Sequence, residues 1–224
     1  MSKLYEICRI AREILNKPKY NIGTVIARPF IGNNAENFTR TYNRKDFESE
    51  RFGKTMLDLI KENGKEVIAI GKIQDLFSGR GMTKMMHTSG NEDGIEKTIE
   101  EIKKDGEGLI YTNLVDFDML YGHRNNIEGY KDALEYFDGK LCEIMGSMKK
   151  TDMLIITADH GNDPSTPSTD HDREYVPILV YGEEIKKGIN LKIRKTFADI
   201  SATILDILDM EQLEGTSFKK EIIK

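Results

Sequence analysis

The chain has 224 residues, a formal net charge of −5 and 38% hydrophobic residues, enough for one medium domain or a domain with part of another, built around a real core. Its Lys and Arg residues are dispersed among acidic neighbours, which excludes a nucleic-acid footprint, and no apolar run reaches membrane-spanning length. Met1-Ser2-Lys3-Leu4-Tyr5-Glu6 lacks the apolar core of a signal peptide, and Cys8 and Cys142 are isolated; a cytoplasmic protein with plain thiols is expected.

Leu4, Ile7, Cys8, Ala11 and Ile14 recur at helical spacing and predict an amphipathic helix ended by Lys17-Pro18. A strand over 22–27 runs into Arg28, and a polar loop follows with Arg40 and Arg44. These guanidinium groups match the oxygens of a phosphate, although spacing alone favours a solvated basic loop. The pattern restarts near residue 50, which predicts a boundary between residues 1–49 and 50–224.

A helix over 55–65 and the buried strand Val67-Ile68-Ala69-Ile70 come next, with Lys72 at that strand's carboxyl edge. A helix beginning near Glu92 leads to a strand over 109–115, and that strand ends in Asp116-Phe117-Asp118-Met119-Leu120-Tyr121-Gly122-His123. A long helix over 127–148 then precedes the strand 152–156, which runs into Thr157-Ala158-Asp159-His160-Gly161-Asn162-Asp163-Pro164 and, after a loop, Asp170-His171-Asp172. A strand over 176–181 and a helix over 197–208 complete the pattern. Alternation of this kind implies an α/β fold, with a mostly parallel sheet covered by helices on both faces. Ligands of such sheets bind beyond the carboxyl ends of the strands. Asp118 with His123, and Asp159 with His160, lie at two such ends, and His171 can fold back toward them. Oxygen and nitrogen donors grouped in this way suit a divalent ion such as Mn²⁺ or Zn²⁺.

The stretch 157–164, with Thr169-Asp170-His171 and Arg173-Glu174-Tyr175-Val176-Pro177, resembles the metal motif of the phosphopentomutase family, within the alkaline phosphatase superfamily. Val115-Asp116-Phe117-Asp118 with Tyr121-Gly122-His123-Arg124 is similar to that family's other metal segment, and Arg28-Pro29-Phe30, Arg40-Thr41 and Gly71-Lys72-Ile73 fit it too. The resemblance implies an isomerase that interconverts ribose 1-phosphate and ribose 5-phosphate, or the deoxyribose equivalents, through two Mn²⁺ ions and a phosphothreonine. It places Asp118, His123 and His171 on one metal and Asp159 and His160 on the other, with Arg40, Arg28 and Lys72 as phosphate contacts. It further implies that residues 1–49 are part of a cap domain and 50–224 part of an alkaline-phosphatase-like core, because the family's acidic amino-terminal metal segment and nucleophilic threonine have no counterpart here.

Thr55 is excluded as a substitute nucleophile, since it begins a core-facing helix. One complete metal site is therefore expected in this chain, for Mn²⁺ or alternatively Zn²⁺ or Mg²⁺. Pentose phosphates are the expected partners, with a second copy or a separate amino-terminal half covering unpaired strands. The alternatives are a metal-dependent phosphatase and a non-catalytic metal-binding or interaction protein.

Overall fold

The computed structural model describes residues 2–17, 19–20, 22–41, 43, 45–49 and 53–224, and of Arg40 the backbone alone. Pro18, the Arg40 side chain, Arg44 and the boundary near residue 50 lie outside the described residues. The chain divides into two compact units, Met1–Lys54 and Thr55–Lys224.

In the first unit, helix α1 (Ser2–Leu15) precedes four short strands, β1 (Thr24–Ala27), β2 (Phe30–Ile31), β3 (Thr39–Arg40) and β4 (Lys45–Glu48). β1 pairs antiparallel with β4, and β2 with β3. α1 packs on β1 and β4, but not through the whole predicted stripe. Cys8 and Arg12 are buried while Ile7, Ile10 and Ile14 are exposed. The reason is that Arg12 finds acceptors in the unit's own backbone, donating to Ile22 O at 2.6 Å and Gly23 O at 2.8 Å. A buried guanidinium satisfied by carbonyls thus takes the place that periodicity gives to isoleucine.

The second unit opens with α2 (Met56–Glu62), whose cap accounts for Thr55. The Asp58 amide donates to Thr55 Oγ1, and the Thr55 amide donates to Asp58 Oδ2, a reciprocal capping box that occupies the hydroxyl. Then follow β5 (Glu66–Ile70), α3 (Ile73–Leu76), β6 (Lys84–Met86), α4 (Asn91–Ile102), β7 (Gly108–Thr112), α5 (Ile127–Ser147), β8 (Leu154–Thr157), β9 (Ile178–Tyr181), α6 (Ala198–Ile207) and α7 (Lys219–Ile222).

β5 is the centre of a parallel sheet in the order β6-β5-β7. Its unbroken apolar run suits a strand covered on both sides, and all of Val67–Ile70 is buried. Because successive side chains alternate, Val67 and Ala69 share one face with Leu109 and Tyr111, under Leu57 and Ile60 of α2 and Leu205 of α6. Toward the opposite face, Thr98 of α4 meets Thr112 of β7, their hydroxyls 2.7 Å apart. Behind α4 lies α5, joined to it through Ile95, Ile99 and Ile144.

The α/β class and the parallel sheet with helices on both faces are thus present, with one difference of detail. β9 does not extend the parallel sheet; it runs antiparallel to β8, Leu154 facing Tyr181. Periodicity marks an apolar strand without fixing its direction, and the loop between β8 and β9 brings the chain back beside itself. Among the described residues no helix is long and apolar enough to cross a membrane.

Candidate metal centre

The centre is built where β7 ends. Asn113 continues the sheet by donating to Ile70 O, after which Asp116 is buried against the start of α4. There the Asn91 amide donates to Asp116 Oδ2 at 2.6 Å, and the Asp116 amide returns a bond to Asn91 Oδ1 at 3.0 Å. A carboxylate on the first free N–H groups of a helix is well placed against its dipole. This staple fixes the chain two residues before Asp118. A single π-helical turn (Phe117–Tyr121) and a 3₁₀ turn (Gly122–Arg124) follow, and the chain leaves through Asn125 in a left-handed conformation, with φ 50°.

These turns aim Asp118 and His123 at one point, and His171 reaches the same point from the loop between β8 and β9. His171 Nε2 is 2.8 Å from Asp118 Oδ1 and 3.2 Å from His123 Nε2, and His123 Nε2 is 3.3 Å from Asp118 Oδ1. Donor atoms about 2.1 Å from a divalent ion stand roughly 3.0 to 3.4 Å apart in octahedral or tetrahedral shells. Two sides of the triangle fall within that range, and the third, the 2.8 Å contact of His171 with Asp118, is slightly shorter.

The tautomer of His123 agrees with this. Its Nδ1 lies 2.5 Å from Thr169 O, and a carbonyl only accepts, so the proton belongs on Nδ1 and Nε2 presents its lone pair inward. His160 joins the same cluster, with its ring stacked on His171 at a centroid separation of 3.6 Å. Ligand atoms of Asp118, His160 and His171 all lie within 4.8 Å of one another.

Burial pushes the Asp118 carboxyl upward, but the hydrogen bond from Asn162 and the electrostatic pull of the adjacent His123 and His171 rings outweigh it and hold the group below its ordinary value. The carboxylate is thus ready to act as a ligand.

Asp159 stands apart from this convergence. Its side chain is exposed and its Oδ2 is 3.6 Å from His160 Nε2. Lys72 follows Gly71 at the end of β5 and opens α3. Arg28 lies beyond β1 in the first unit, exposed to solvent. Two polar residues not singled out in the sequence belong to the site. Asn162 donates to Asp118 Oδ1 at 2.9 Å, and Asn125 grips the loop that carries His171. Asn162 could have been suspected from its place in the motif, whereas nothing in the sequence marks which carbonyls Asn125 meets.

The Metalloenzyme superfamily model matches residues 32–212 of this sequence. The chain belongs to the Metalloenzyme superfamily. Its similarity to particular members is high: it is 55% identical to the phosphopentomutase of Clostridium acetobutylicum across all of this chain and 57% of the relative. It is 54% identical to that of Caldanaerobacter subterraneus subsp. tengcongensis and 52% identical to that of Clostridioides difficile, each over 99% of this chain. The chain spans 56–57% of the length of these three relatives. Metal binding by the Metalloenzyme superfamily gives the donor cluster its natural reading.

Proposed function

We propose that this chain carries the metal-binding part of a phosphopentomutase, an isomerase that moves a phosphoryl group between the C1 and C5 oxygens of ribose or deoxyribose. The observation that carries the reading is the triangle of Asp118 Oδ1, His123 Nε2 and His171 Nε2, with sides of 2.8, 3.2 and 3.3 Å, in a chain 52–55% identical to three phosphopentomutases. Asp118, His123 and His171 would hold one divalent ion, and Asp159 and His160 would contribute to a second. His160 stacks on His171 at 3.6 Å, so the two sets of ligands adjoin as a dinuclear centre requires, and their division between two ions rests on the resemblance.

Mn²⁺ is the ion we assign, on the resemblance to phosphopentomutases; the mixed carboxylate and imidazole donors, without thiolate, suit Mn²⁺ or Zn²⁺. Paired ions at this position would neutralise phosphoryl oxygens as charge redistributes during transfer. The chain's own residues do the rest of the positioning. The Thr169 carbonyl keeps the His123 lone pair facing inward, and Asn162 keeps the Asp118 carboxylate oriented. Arg28, Arg40 and Lys72 are assigned to the substrate's phosphates, residues 1–49 to a cap and 50–224 to the core, acting in the cytoplasm with further protein completing the second ion's ligands.

The test is conversion of ribose 1-phosphate to ribose 5-phosphate with Mn²⁺, using this chain alone and mixed with the unmatched part of the C. acetobutylicum enzyme. Conversion is expected in the mixture and should fall at least about a thousandfold in Asp118→Ala and His171→Ala. Absence of conversion in the mixture, with both parts folded, would count against the mutase. Metal-dependent release of inorganic phosphate from ribose 5-phosphate by this chain alone would replace it with a phosphatase.

A further inference from the structure

We infer that Asn125 is a positioning residue for His171, clasping the 164–168 loop so that the third ligand is delivered to Asp118 and His123. The inference rests on the metal reading above and concerns how that site is assembled. His171 comes from an exposed loop between β8 and β9 whose base is closed by the Asp172 amide donating to Gly161 O. An exposed loop is mobile unless something grips it, whereas useful ligand geometry has to be held to about half an ångström.

The grip comes from Asn125. Its Nδ2 donates to Thr166 O at 2.6 Å and Ser168 O at 3.1 Å, and lies 3.3 Å from Pro164 O. All three partners are carbonyl oxygens, so only the NH₂ end of the carboxamide can face them. Pro164 and Pro167 have no N–H to offer, and the loop's own donors, Ser165, Thr166 and Asp170, bond to Asp163 and to Ser168 Oγ instead of to the Pro164, Thr166 and Ser168 carbonyls. Those three carbonyls are left to one side-chain amide. Its placement follows from the left-handed backbone at Asn125, a conformation that asparagine tolerates better than most residues.

The arrangement is economical in sequence. His123 Nδ1 holds the Thr169 carbonyl from the same turn, so residues 123–125 provide one ligand and capture four carbonyls of the segment that brings another. Asn125 thus acts on the ion through His171.

Asn125→Gly keeps the left-handed backbone and deletes the carboxamide; Asn125→Asp keeps the shape and sets an acceptor against three acceptors. In metal-free protein, amide hydrogen exchange should quicken in residues 165–171 of both variants and stay as in wild type across α4 and α5. Calorimetric titration with Mn²⁺ should show affinity falling about 10- to 100-fold. In the His171→Ala background, Asn125→Gly should cause no further loss, because the two changes remove the same contribution. Wild-type exchange and affinity in both variants would overturn the inference, as would a full additive loss in the double variant. A wild-type protein that binds no Mn²⁺ would overturn the metal reading, and the exchange comparison would then decide the clasp by itself.

Discussion

Two regions of the second unit are built on opposite principles. The sheet β6-β5-β7 is held by burial, with Val67 and Ile70 fully covered. The metal centre a few residues beyond it is held by directed polar contacts, and the side chains of Asp118, His123 and His171 remain 26%, 38% and 45% exposed. Burial is forgiving of exact partners, since any well-fitting apolar neighbour contributes. Convergence of three donor atoms is not, because each depends on a particular carbonyl or carboxamide. Changes in the first region should therefore act on global stability, and changes in the second on metal affinity.

The largest expected effect comes from the first region. Leu57 of α2 is fully buried against Val67 and Ala69, and Leu57→Ala should cost about 2–5 kcal/mol, read from urea unfolding. Because Leu57 makes no contact with the donors, Mn²⁺ affinity measured well below the unfolding transition should be unchanged. A large loss of affinity in that variant would break the separation between the two regions.

Gly122 offers the converse test. It lies between the π-helical turn and His123, and a Cβ there would overlap the Asn162 carboxamide. Its φ of −61° is open to any residue, so Gly122→Ala adds no backbone strain. The overlap should move Asn162 off Asp118 and weaken Mn²⁺ binding about 10- to 100-fold by calorimetry. Overpacking adds roughly 1–3 kcal/mol of destabilisation, less than the core truncation can cause. Unchanged affinity would mean that Asp118 does not need Asn162 to hold its orientation.

The same contrast explains how much could be read from the sequence. β5 was legible because four consecutive apolar residues admit few alternatives, and Asp118, His123 and His171 stood out because carboxylates and imidazoles at strand ends are chemically conspicuous. β6 was missed: Lys84-Met85-Met86 is three residues long and has no β-branched member. The buried face of α1 was misjudged, since periodicity could not foresee that Arg12 would find the Ile22 and Gly23 carbonyls. For the centre, the unreadable parts are the contacts of Asn125 and Asn162. Each is a bond between residues about 40 apart, and in Asn125 the partners are backbone atoms that every residue type possesses.

The smallest effect sharpens the comparison by placing a charge inside the first region. Glu101, near the end of α4, is buried, and its carboxylate accepts from Lys84 Nζ at 2.7 Å and Lys104 Nζ at 2.5 Å. Burial pushes its pKa up, but the two ammonium groups outweigh that and leave it below the ordinary 4.5. A carboxyl depressed in the folded state binds its proton more readily when unfolded, so its contribution is fully present above the unfolded value and is lost as pH falls through the folded one. Glu101→Gln should therefore be less stable than wild type at pH 7 by a few tenths to about 1 kcal/mol, because both lysines remain largely in water. The gap should narrow as both proteins are taken below the ordinary carboxylate range, where the unfolded chain takes up its proton first. Urea unfolding of the pair at pH 7 and pH 3.5 measures it. A gap that widened toward acid would mean that burial, and not the lysine pairing, governs this carboxylate, and the sheet region would then contain a group held against its own charge.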